Sequence, residues 1–323
     1  MTPQHFIDQL NEWGAAHTPF FFIIDFEMKR PQAFTLSQLD ERLIKISFPD
    51  FSNHKTELIP TEVLQLKSKP ITASEYGKKF QLVARHLAHG DSFLTNLTIK
   101  TPIQSNLSLE QIYALASAPY KLCYKNELVV YSPESFIKIS NGQIFSYPMK
   151  GTIDAAVENA EQKILADKKE LAEHVTIVDL IRNDLSIIAE NVEVTRFRYI
   201  DSIKTREKIL LQVSSEITGK LPLDYSTRLG SLIWRLLPAG SISGAPKKKT
   251  VEIIKQAEGE ERGYYTGIMG YFDGTNLDSA VMIRCIENKN GQLFYRSGGG
   301  ITTQSDCEQE YKEALAKIYV PIV

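Results

Sequence analysis

Two segments of the chain carry acidic side chains at spacings that could hold a metal ion. Glu170 and Glu173 lie three residues apart in an expected helix, so their carboxylates share one helix face. Glu310, Glu313 and Lys317 also fall on one face of an expected helix. Paired carboxylates with few histidines nearby suit a hard cation such as Mg2+ better than zinc. Taken alone, however, most such pairs are solvated acidic faces.

A second group of residues could bind an anionic ligand. Arg284 is expected in the middle of a strand, facing away from Val281 and Cys285, where a buried guanidinium requires a carboxylate partner. The three glycines at 298–300 end the following strand and suggest a ligand that approaches the backbone closely. The segment "LPAGSISGAPK" leads into a helix whose free N–H groups would attract an anion. Together these features predict a site for a small di-anionic substrate.

The composition excludes several classes of function. The chain has 323 residues, with 37 Lys and Arg against 39 Asp and Glu, for a formal net charge of -2. This balance favours neither a nucleic acid nor a membrane surface as a partner. The three cysteines, Cys123, Cys285 and Cys307, form no CxxC pair and fit a reducing cytoplasm. The apolar run "PFFFIIDF" is far shorter than the ~20 residues of a spanning helix, so we expect a soluble, cytoplasmic protein.

The residue pattern predicts one compact α+β unit without an internal domain boundary. An apolar stripe that includes Val175 and Val178 predicts a long helical region in the middle of the chain, and residues 27–69 show little periodicity. The main predicted elements are helices at 2–13, 73–89 and about 155–188, a buried strand at 20–26, and a meander of antiparallel strands after residue 120.

Seven motifs, in chain order, resemble those of a known family: "PMKGT", "EHVTIVDLIRNDL", "PAGSISGAPK", "RGYYTGIMGYFD", "SAVMIR", "RSGGGI" and "EQEYKEALAK". They are similar to the chorismate-binding enzymes, which include anthranilate, aminodeoxychorismate, isochorismate and salicylate synthases. The resemblance identifies 74–323 as the family core and 1–73 as a short, weakly matching N-terminal part of a single catalytic domain. It implies an α+β fold of large antiparallel sheets with helices packed outside and an active site between the two halves.

The resemblance also implies roles for individual residues. Glu173 and Glu313 match the two ligands of an Mg2+ ion. Glu170 and Glu310 match residues close to the metal. Lys150 matches a nucleophile and Glu134 an acid. The implied substrate contacts are Thr152, Gly244, Ala245, Tyr265, Arg284, Gly298, Gly299, Gly300 and Lys317.

Lys150 distinguishes between members of this family. Anthranilate synthases resemble "PIAGT" at its motif and aminodeoxychorismate synthases resemble "PIKGT", so the lysine favours amination of chorismate at C4. Leu94 stands where isochorismate and salicylate synthases place a water-activating lysine, which disfavours the water-adding members. The resemblance thus implies that chorismate and ammonia give 4-amino-4-deoxychorismate, on the route to 4-aminobenzoate and folate.

The implied mechanism requires a neutral amine at Lys150. The amine attacks C2 of chorismate while Glu134 protonates the departing 4-hydroxyl, and ammonia then enters at C4 and expels the lysine. A free lysine has a pKa of ~10.4, so roughly one in 2,500 is neutral at pH 7. We therefore expect the pKa to be lowered by about three units, a change of ~4 kcal/mol that burial and neighbouring cations can supply.

Two departures from the family pattern and two alternatives remain open. Gln212 stands where a histidine is common, and Leu94 replaces the usual glutamine; both bear on substrate positioning more than on the reaction class. Because the chain shows no Gly-x-Cys-x-Gly elbow, we expect ammonia from a separate glutamine amidotransferase subunit. The alternatives are an anthranilate synthase-like enzyme that happens to carry a lysine, and a catalytically silent chorismate-binding subunit.

Overall fold

The computed structural model of the protein describes residues 1–55, 60–204 and 209–322. Within these ranges, no helix is both long and apolar enough to cross a membrane. The helices are α1 (Pro3–Ala15), α2 (Ala73–His89), α3 (Leu109–Leu115), α4 (Ala160–Ala166), α5 (Lys168–Leu185), α6 (Leu229–Arg235), α7 (Gly240–Ser243), α8 (Lys247–Glu258) and α9 (Cys307–Ala316), with short 3-10 turns at Leu36–Gln38 and Tyr225–Arg228.

Two antiparallel sheets form the centre of the fold, and every pairing between described strands is antiparallel. The strands of the first sheet are β1 (Phe20–Ile24), β2 (Gln32–Thr35), β9 (Ser135–Ser140), β10 (Gln143–Ser146), β11 (Met149–Asp154), β12 (Glu190–Lys204), β13 (Ile209–Lys220), β15 (Ile268–Phe272) and β16 (Leu277–Val281). Its order is β11-β13-β10-β9-β16-β15-β1-β2, with β12 also paired to β13.

The second sheet shares no strand with the first. Its strands are β3 (Ile44–Phe48), β4 (Phe51–Ser52), β5 (Leu66–Ser68), β6 (Leu94–Ser105), β7 (Tyr120–Tyr124), β8 (Leu128–Ser132), β14 (Gly244–Ala245), β17 (Cys285–Lys289) and β18 (Gln292–Ile301). They run in the order β14-β6-β18-β17-β8-β7-β3-β4, with β5 paired to β6.

Strand β1 shows why the chain builds layers. Its five residues are all buried, and successive side chains of a strand point to opposite faces. Phe20 and Phe22 pack with residues of α1, α5 and α6 on one side of the first sheet. Phe21 and Ile23 pack on the other side against β3, β7 and β8 of the second sheet. An unbroken apolar run therefore marks a strand covered on both faces, and the predicted buried strand is confirmed over 20–24.

Helices cover the outer faces of both sheets. On the far side of the second sheet, α2 and α8 pack against β6, α9 packs against β18, and α3 packs near β7 and β8. The layers thus run helices, first sheet, second sheet, helices. The expected α+β fold with antiparallel sheets inside and helices outside is confirmed, whereas the single-domain boundary stays a prediction.

The helical region expected at 155–188 consists of two helices, and one residue of its predicted apolar side is misplaced. The chain forms α4 and α5, because Asp167 ends the first helix in an extended conformation and caps the second by accepting a hydrogen bond from the Glu170 N–H (3.0 Å). Val175 is 46% exposed rather than on the apolar side. The buried stripe of α5 is formed by Ile177, Val178, Ile181 and Leu185.

The stretch 27–69 is less irregular than its sequence suggests. It contains β2 to β5, of which β3 alternates buried and half-buried residues, with Ile44, Ile46 and Phe48 inside. The alternation in "IKISF" is a strand signal of only five residues between polar segments, so it was missed. Residues 56–59 of this stretch lie outside the described chain.

Two helical glycines offer a matched test of this packing. A Cβ at Gly230 would lie 2.4 Å from the backbone oxygen of Ile7, so α1 and α6 approach too closely for alanine. A Cβ at Gly77 would have only Cys307 Sγ nearby, at 4.0 Å. We expect Gly230→Ala to lower the free energy of unfolding by about 1–3 kcal/mol or more through overpacking. Gly77→Ala should raise it by about 0.5–1 kcal/mol, because alanine is the better helix former. Urea unfolding measures both changes in the free energy of unfolding. Equal changes in the two variants would contradict the close approach of α1 and α6.

Candidate active site

A cavity of about 480 Å³ lies where the two sheets diverge and contains most of the predicted site residues. Its walls come from β6 and β18 of the second sheet, β11 of the first, helices α5 and α9, and the α7 segment. The predicted residues that line it are Glu134, Lys150, Thr152, Glu170, Glu173, Tyr265, Arg284, Gly298, Gly299, Gly300, Glu310, Glu313 and Lys317. Residues as far apart in sequence as Glu134 and Lys317 therefore converge on one space between the sheets.

Lys150 lies in a bulged strand. In the pairing of β11 with β13, Met149 lies opposite Ser214 and Thr152 opposite Gln212, so β11 carries one extra residue. Gly151 has a φ of +80°, a left-handed conformation that suits glycine at a bulge. A bulge re-aims the adjacent side chain, and the lysine amine enters the cavity.

The Lys150 amine is held by carboxylates. Its Nζ donates a hydrogen bond to Glu173 Oε2 at 2.8 Å, and the two side chains are 26% and 8% exposed. Burial alone would lower the pKa of the amine, but Glu173, then Glu170 and Glu313, together outweigh it and raise the pKa above its usual value. The expected lowering of this pKa is therefore wrong for the protein without ligands, because the surrounding charges are negative.

The two acidic helices do meet across the cavity. Glu173 and Glu310 are both buried, at 7% and 5% exposure. Glu310 accepts a hydrogen bond from Ser305 Oγ (2.8 Å), and Glu313 Oε1 lies 2.6 Å from Lys317 Nζ. α5 thus presents Glu170 and Glu173 to one side of the space, and α9 presents its pair to the other.

This carboxylate set suits a divalent cation that keeps other ligands. Across the described ranges, no three Asp, Glu, His or Cys side chains are close enough together to form a complete metal centre. Mg2+ usually takes one or two carboxylates and completes its octahedron with water and substrate oxygens. Glu173 on α5 is buried, whereas the Glu313 side chain on α9 is 53% exposed. Carboxylate oxygens from two helices fit the requirement of Mg2+, so Glu173 and Glu313 stay the predicted ligands, with Glu170 and Glu310 beside them.

Arg284 does not sit in the middle of a strand, as the sequence suggested. β16 of the first sheet ends at Val281 and β17 of the second begins at Cys285, so Arg284 lies in the crossover between the sheets, with a φ of +53°. Its guanidinium lies 5.5 Å from the ring centroid of Tyr319, and its Nε is buried without a hydrogen-bond partner. No carboxylate of the described chain forms an ion pair with it. A half-buried guanidinium without a carboxylate partner is suited to bind an anionic ligand.

The three glycines at 298–300 have different reasons to be glycine. A Cβ at Gly298 would lie 2.1 Å from Leu97 O, so this glycine is required by the pairing of β18 with β6. A Cβ at Gly299 would lie 3.5 Å from Glu313 Oε1 and from Lys317 Nζ, and one at Gly300 would lie 3.8 Å from Lys150 Nζ. The second and third glycines thus keep open the space between the charged groups.

Glu134 occupies the connection between β8 and β9 and meets a residue that the sequence did not single out. Ser241 Oγ, in the "PAGSISGAPK" segment, donates a hydrogen bond to Glu134 Oε1 at 2.7 Å. Burial raises the pKa of Glu134 above its usual value, although Ser241 and the cations Lys150 and Arg284 oppose the rise. A carboxyl group in this setting holds its proton more readily than a solvated one, as an acid must.

Other predicted residues lie at or beyond the edge of the cavity. Gly244 and Ala245 form β14, pair with Thr95 and Leu94, and are not part of the lining, so a substrate contact by them stays a prediction. Leu94 lines the cavity itself. Gln212, opposite Thr152, lines it as well.

Three further polar residues line the cavity that the sequence analysis did not single out, although Asp184 and Thr266 lie within the quoted motifs. Asp184 binds Lys247 Nζ at 2.8 Å and so ties the end of α5 to the start of α8. Asn96 of β6 and Thr266, next to Tyr265, add polar groups to the wall. Neither motif alone indicates the contact of Asp184 with Lys247, since it joins residues far apart in sequence.

The charge state of Arg284 predicts its effect on stability. Arg284→Met should leave the free energy of unfolding unchanged or raise it, because the substitution removes a half-buried cation that has no carboxylate partner in the described chain. Arg296→Met is the matched control: Arg296 is 1% exposed and pairs with Glu287 and Glu260. It should cost about 3 kcal/mol or more, because the carboxylates are left unpaired. If urea unfolding shows that the two variants lose equal unfolding free energy, the conclusion that Arg284 has no carboxylate partner in the described chain is contradicted.

Comparison with known proteins agrees with this geometry. The chain matches the model of the family described as chorismate binding enzyme over residues 10–322. It is 49% identical to an uncharacterized PabA-like protein of Pasteurella multocida, with 100% of both chains covered. It is 31% identical to aminodeoxychorismate synthase component 1 of Escherichia coli, over 77% of this chain and 57% of that enzyme. Identity to anthranilate synthase component 1 of Acetivibrio thermocellus is also 31%, over 76% of this chain and 52% of that enzyme.

The fold agrees with a solved structure of low sequence identity. A protein described as a 2,3-dihydroxybenzoate-specific isochorismate synthase from Bacillus anthracis superposes with a TM-score of 0.73 at 20% identity, covering 98% of this chain and 86% of that one. Equal identity to two synthases that differ in product does not separate their reactions. The family match over nearly the whole chain does decide membership: this protein belongs to the chorismate-binding enzymes.

Proposed function

We propose that the protein is an aminodeoxychorismate synthase, which converts chorismate and ammonia to 4-amino-4-deoxychorismate. The observation that carries the proposal is the position of the Lys150 amine, which the β11 bulge places inside the cavity beside Glu173. A lysine is not needed to form that bulge, because Gly151 is the residue that adopts the left-handed backbone conformation. An amine in contact with the space for chorismate is therefore best explained by chemistry.

The remaining cavity groups suit the two carboxylates of chorismate. Arg284 lacks a carboxylate partner in the described chain and can bind one of them. Lys317 Nζ, which also donates to Gly298 O at 2.8 Å, lies on the α9 side of the same space. Tyr265 is 4% exposed and completes this wall.

The proposed reaction has two displacement steps. The Lys150 nitrogen forms a bond to C2 of chorismate, the two conjugated ring double bonds shift, and the C4–O bond breaks as Glu134 gives its proton to the departing hydroxyl, which leaves as water. Ammonia then forms a bond to C4, the two double bonds shift back, and the C2–N bond breaks. The lysine nitrogen leaves with a proton from the incoming ammonium, and ammonia replaces hydroxyl with no change in oxidation state.

Lys150 must lose its proton before the first step. The raised pKa in the ligand-free protein opposes this loss, because the amine is paired with Glu173. Substrate binding must therefore disturb that ion pair. A bound Mg2+, held by Glu173 and Glu313, would supply a positive charge for a substrate carboxylate.

We propose that ammonia comes from a separate glutamine amidotransferase subunit. Glutamine hydrolysis of that class requires a reactive cysteine in a nucleophile elbow. Cys123 and Cys285 are buried in strands, and burial raises the pKa of the Cys285 thiol. Neither is suited to nucleophilic attack.

The product made from chorismate tests the proposal. The purified protein, incubated with chorismate, MgCl2 and ammonium chloride, should form 4-amino-4-deoxychorismate, detected by mass spectrometry. Lys150→Ala should lower turnover by at least ~10³-fold, because the nucleophile is lost. Lys312→Ala is the matched control, since Lys312 pairs with Glu308 on the exposed face of α9, and it should leave turnover unchanged.

Two results would contradict the proposal in different ways. Fluorescent anthranilate formed without any added lyase would show amination at C2 and identify an anthranilate synthase. Chorismate binding in calorimetry with no consumption of chorismate by the wild-type protein would indicate a silent binding subunit.

A further inference from the structure

Arg262 is the centre of a buried polar cluster behind the cavity. It is 1% exposed and does not belong to the cavity lining. Its guanidinium makes a two-point contact with Glu258, through Nε to Oε2 (3.0 Å) and Nη2 to Oε1 (2.6 Å). Glu258 Oε1 also accepts from the N–H and the hydroxyl of Thr98, both at 2.9 Å. The cluster is therefore anchored to β6.

The other hydrogen bonds of Arg262 reach three separate walls of the cavity. Nη2 donates to Asn96 O on β6 at 2.7 Å, and Nη1 donates to Ile242 O in α7 at 3.0 Å and to Thr266 Oγ1 at 3.3 Å. All three of these residues line the cavity. One planar side chain thus joins three segments, of which α7 and β6 are also linked by the pairing of Gly244 with Thr95.

Each of the three walls leads to a residue of the proposed reaction. Ile242 follows Ser241, whose hydroxyl binds Glu134. Thr266 follows Tyr265 in the chain. Asn96 pairs across the β6–β18 ladder with Gly300, which lies next to the Lys150 amine. A small shift of Arg262 would therefore move the acid, the substrate wall and the floor beside the nucleophile together.

The second buried arginine of the fold makes no such connection. Arg296 is as deeply buried, at 1% exposure, and also has carboxylate partners in Glu287 and Glu260. Its remaining hydrogen bond goes to Glu261 O at 2.8 Å, and none of these partners lines the cavity. The two arginines thus separate a role in the site from a role in folding.

We propose that Arg262 is a positioning residue of the active site, which holds the Glu134–Ser241 pair, the Tyr265 wall and the Asn96 strand in register for the reaction. This proposal rests on the proposed function for the identity of the ligand, chorismate. Arg262 does not touch the ligand, and it acts through the backbone of Ile242 and Asn96 and the hydroxyl of Thr266.

Replacement of each arginine by lysine tests the proposal. A lysine keeps the charge but carries its donors on a single atom, so it cannot reach all three walls at once. With chorismate, MgCl2 and ammonium chloride, we expect Arg262→Lys to lower kcat about 20-fold and to raise the chorismate Kd in calorimetry about fivefold, as displaced catalytic groups do. Arg296→Lys should change kcat and the chorismate Kd by less than about twofold, although its urea unfolding midpoint should fall by about as much as that of Arg262→Lys.

A double-mutant cycle shows whether Arg262 acts through Ser241. Ser241→Ala removes the hydrogen bond to Glu134, so Arg262→Lys should lower kcat by a smaller factor in that background than in the wild-type protein. Purely additive effects would mean that the two residues act independently and would overturn the route through Ile242.

Three further outcomes test the positioning role of Arg262. Equal losses of kcat in both lysine variants would show that Arg262 serves only folding and would contradict the proposal. If Arg262→Lys does not fold, Glu258→Gln, which keeps the shape of the cluster, should lower kcat about fivefold, and an unchanged kcat would refute the proposal. If the wild-type protein binds chorismate but makes no 4-amino-4-deoxychorismate, the proposed function fails, while the Kd comparison between the two lysine variants still tests Arg262.

Discussion

The ion pair between Lys150 and Glu173 is the interaction on which the rest of the site depends. It joins the bulged edge of the first sheet to α5, at 2.8 Å, within a cavity that also holds Glu170, Glu310 and Glu313. The negative charges of Glu173, Glu170 and Glu313 raise the pKa of the amine and so favour its protonated form. The same charge attracts a cation, and Arg284 provides the opposite charge for an anion. The cavity is thus arranged for a substrate that arrives with compensating charges.

Much of this site could be predicted from sequence because its groups are spaced along single elements. Glu170 with Glu173, and Glu313 with Lys317, share helix faces that follow from a 3.6-residue period. The bulge that carries Lys150 could not be predicted, since it depends on the register between β11 and β13. The pKa of the Lys150 amine was predicted in the wrong direction for the same reason, because three carboxylates from two helices reach it only in the folded chain.

Contacts between distant segments account for the other differences. Arg284 follows strand-like residues, but its surroundings depend on the passage of the chain from one sheet to the other. Ser241 and Glu134 are 107 residues apart, and Arg262 and Asn96 are 166 apart. Sequence periodicity gives no signal for contacts between residues so far apart in the chain. The α+β class, in contrast, followed from the mixture of strand and helix patterns along the chain, and the arrangement of sheets inside and helices outside was implied by the family resemblance.

The central claim is that Lys150 forms a covalent bond to chorismate, and mass spectrometry of the protein tests it most directly. The wild-type protein, incubated with chorismate and MgCl2 in the absence of ammonia, should gain the mass of chorismate less one water. Peptide mapping should place this adduct on Lys150, and the Lys150→Ala variant should stay unmodified. An unmodified wild-type protein, together with undiminished turnover in Lys150→Ala, would contradict the claim.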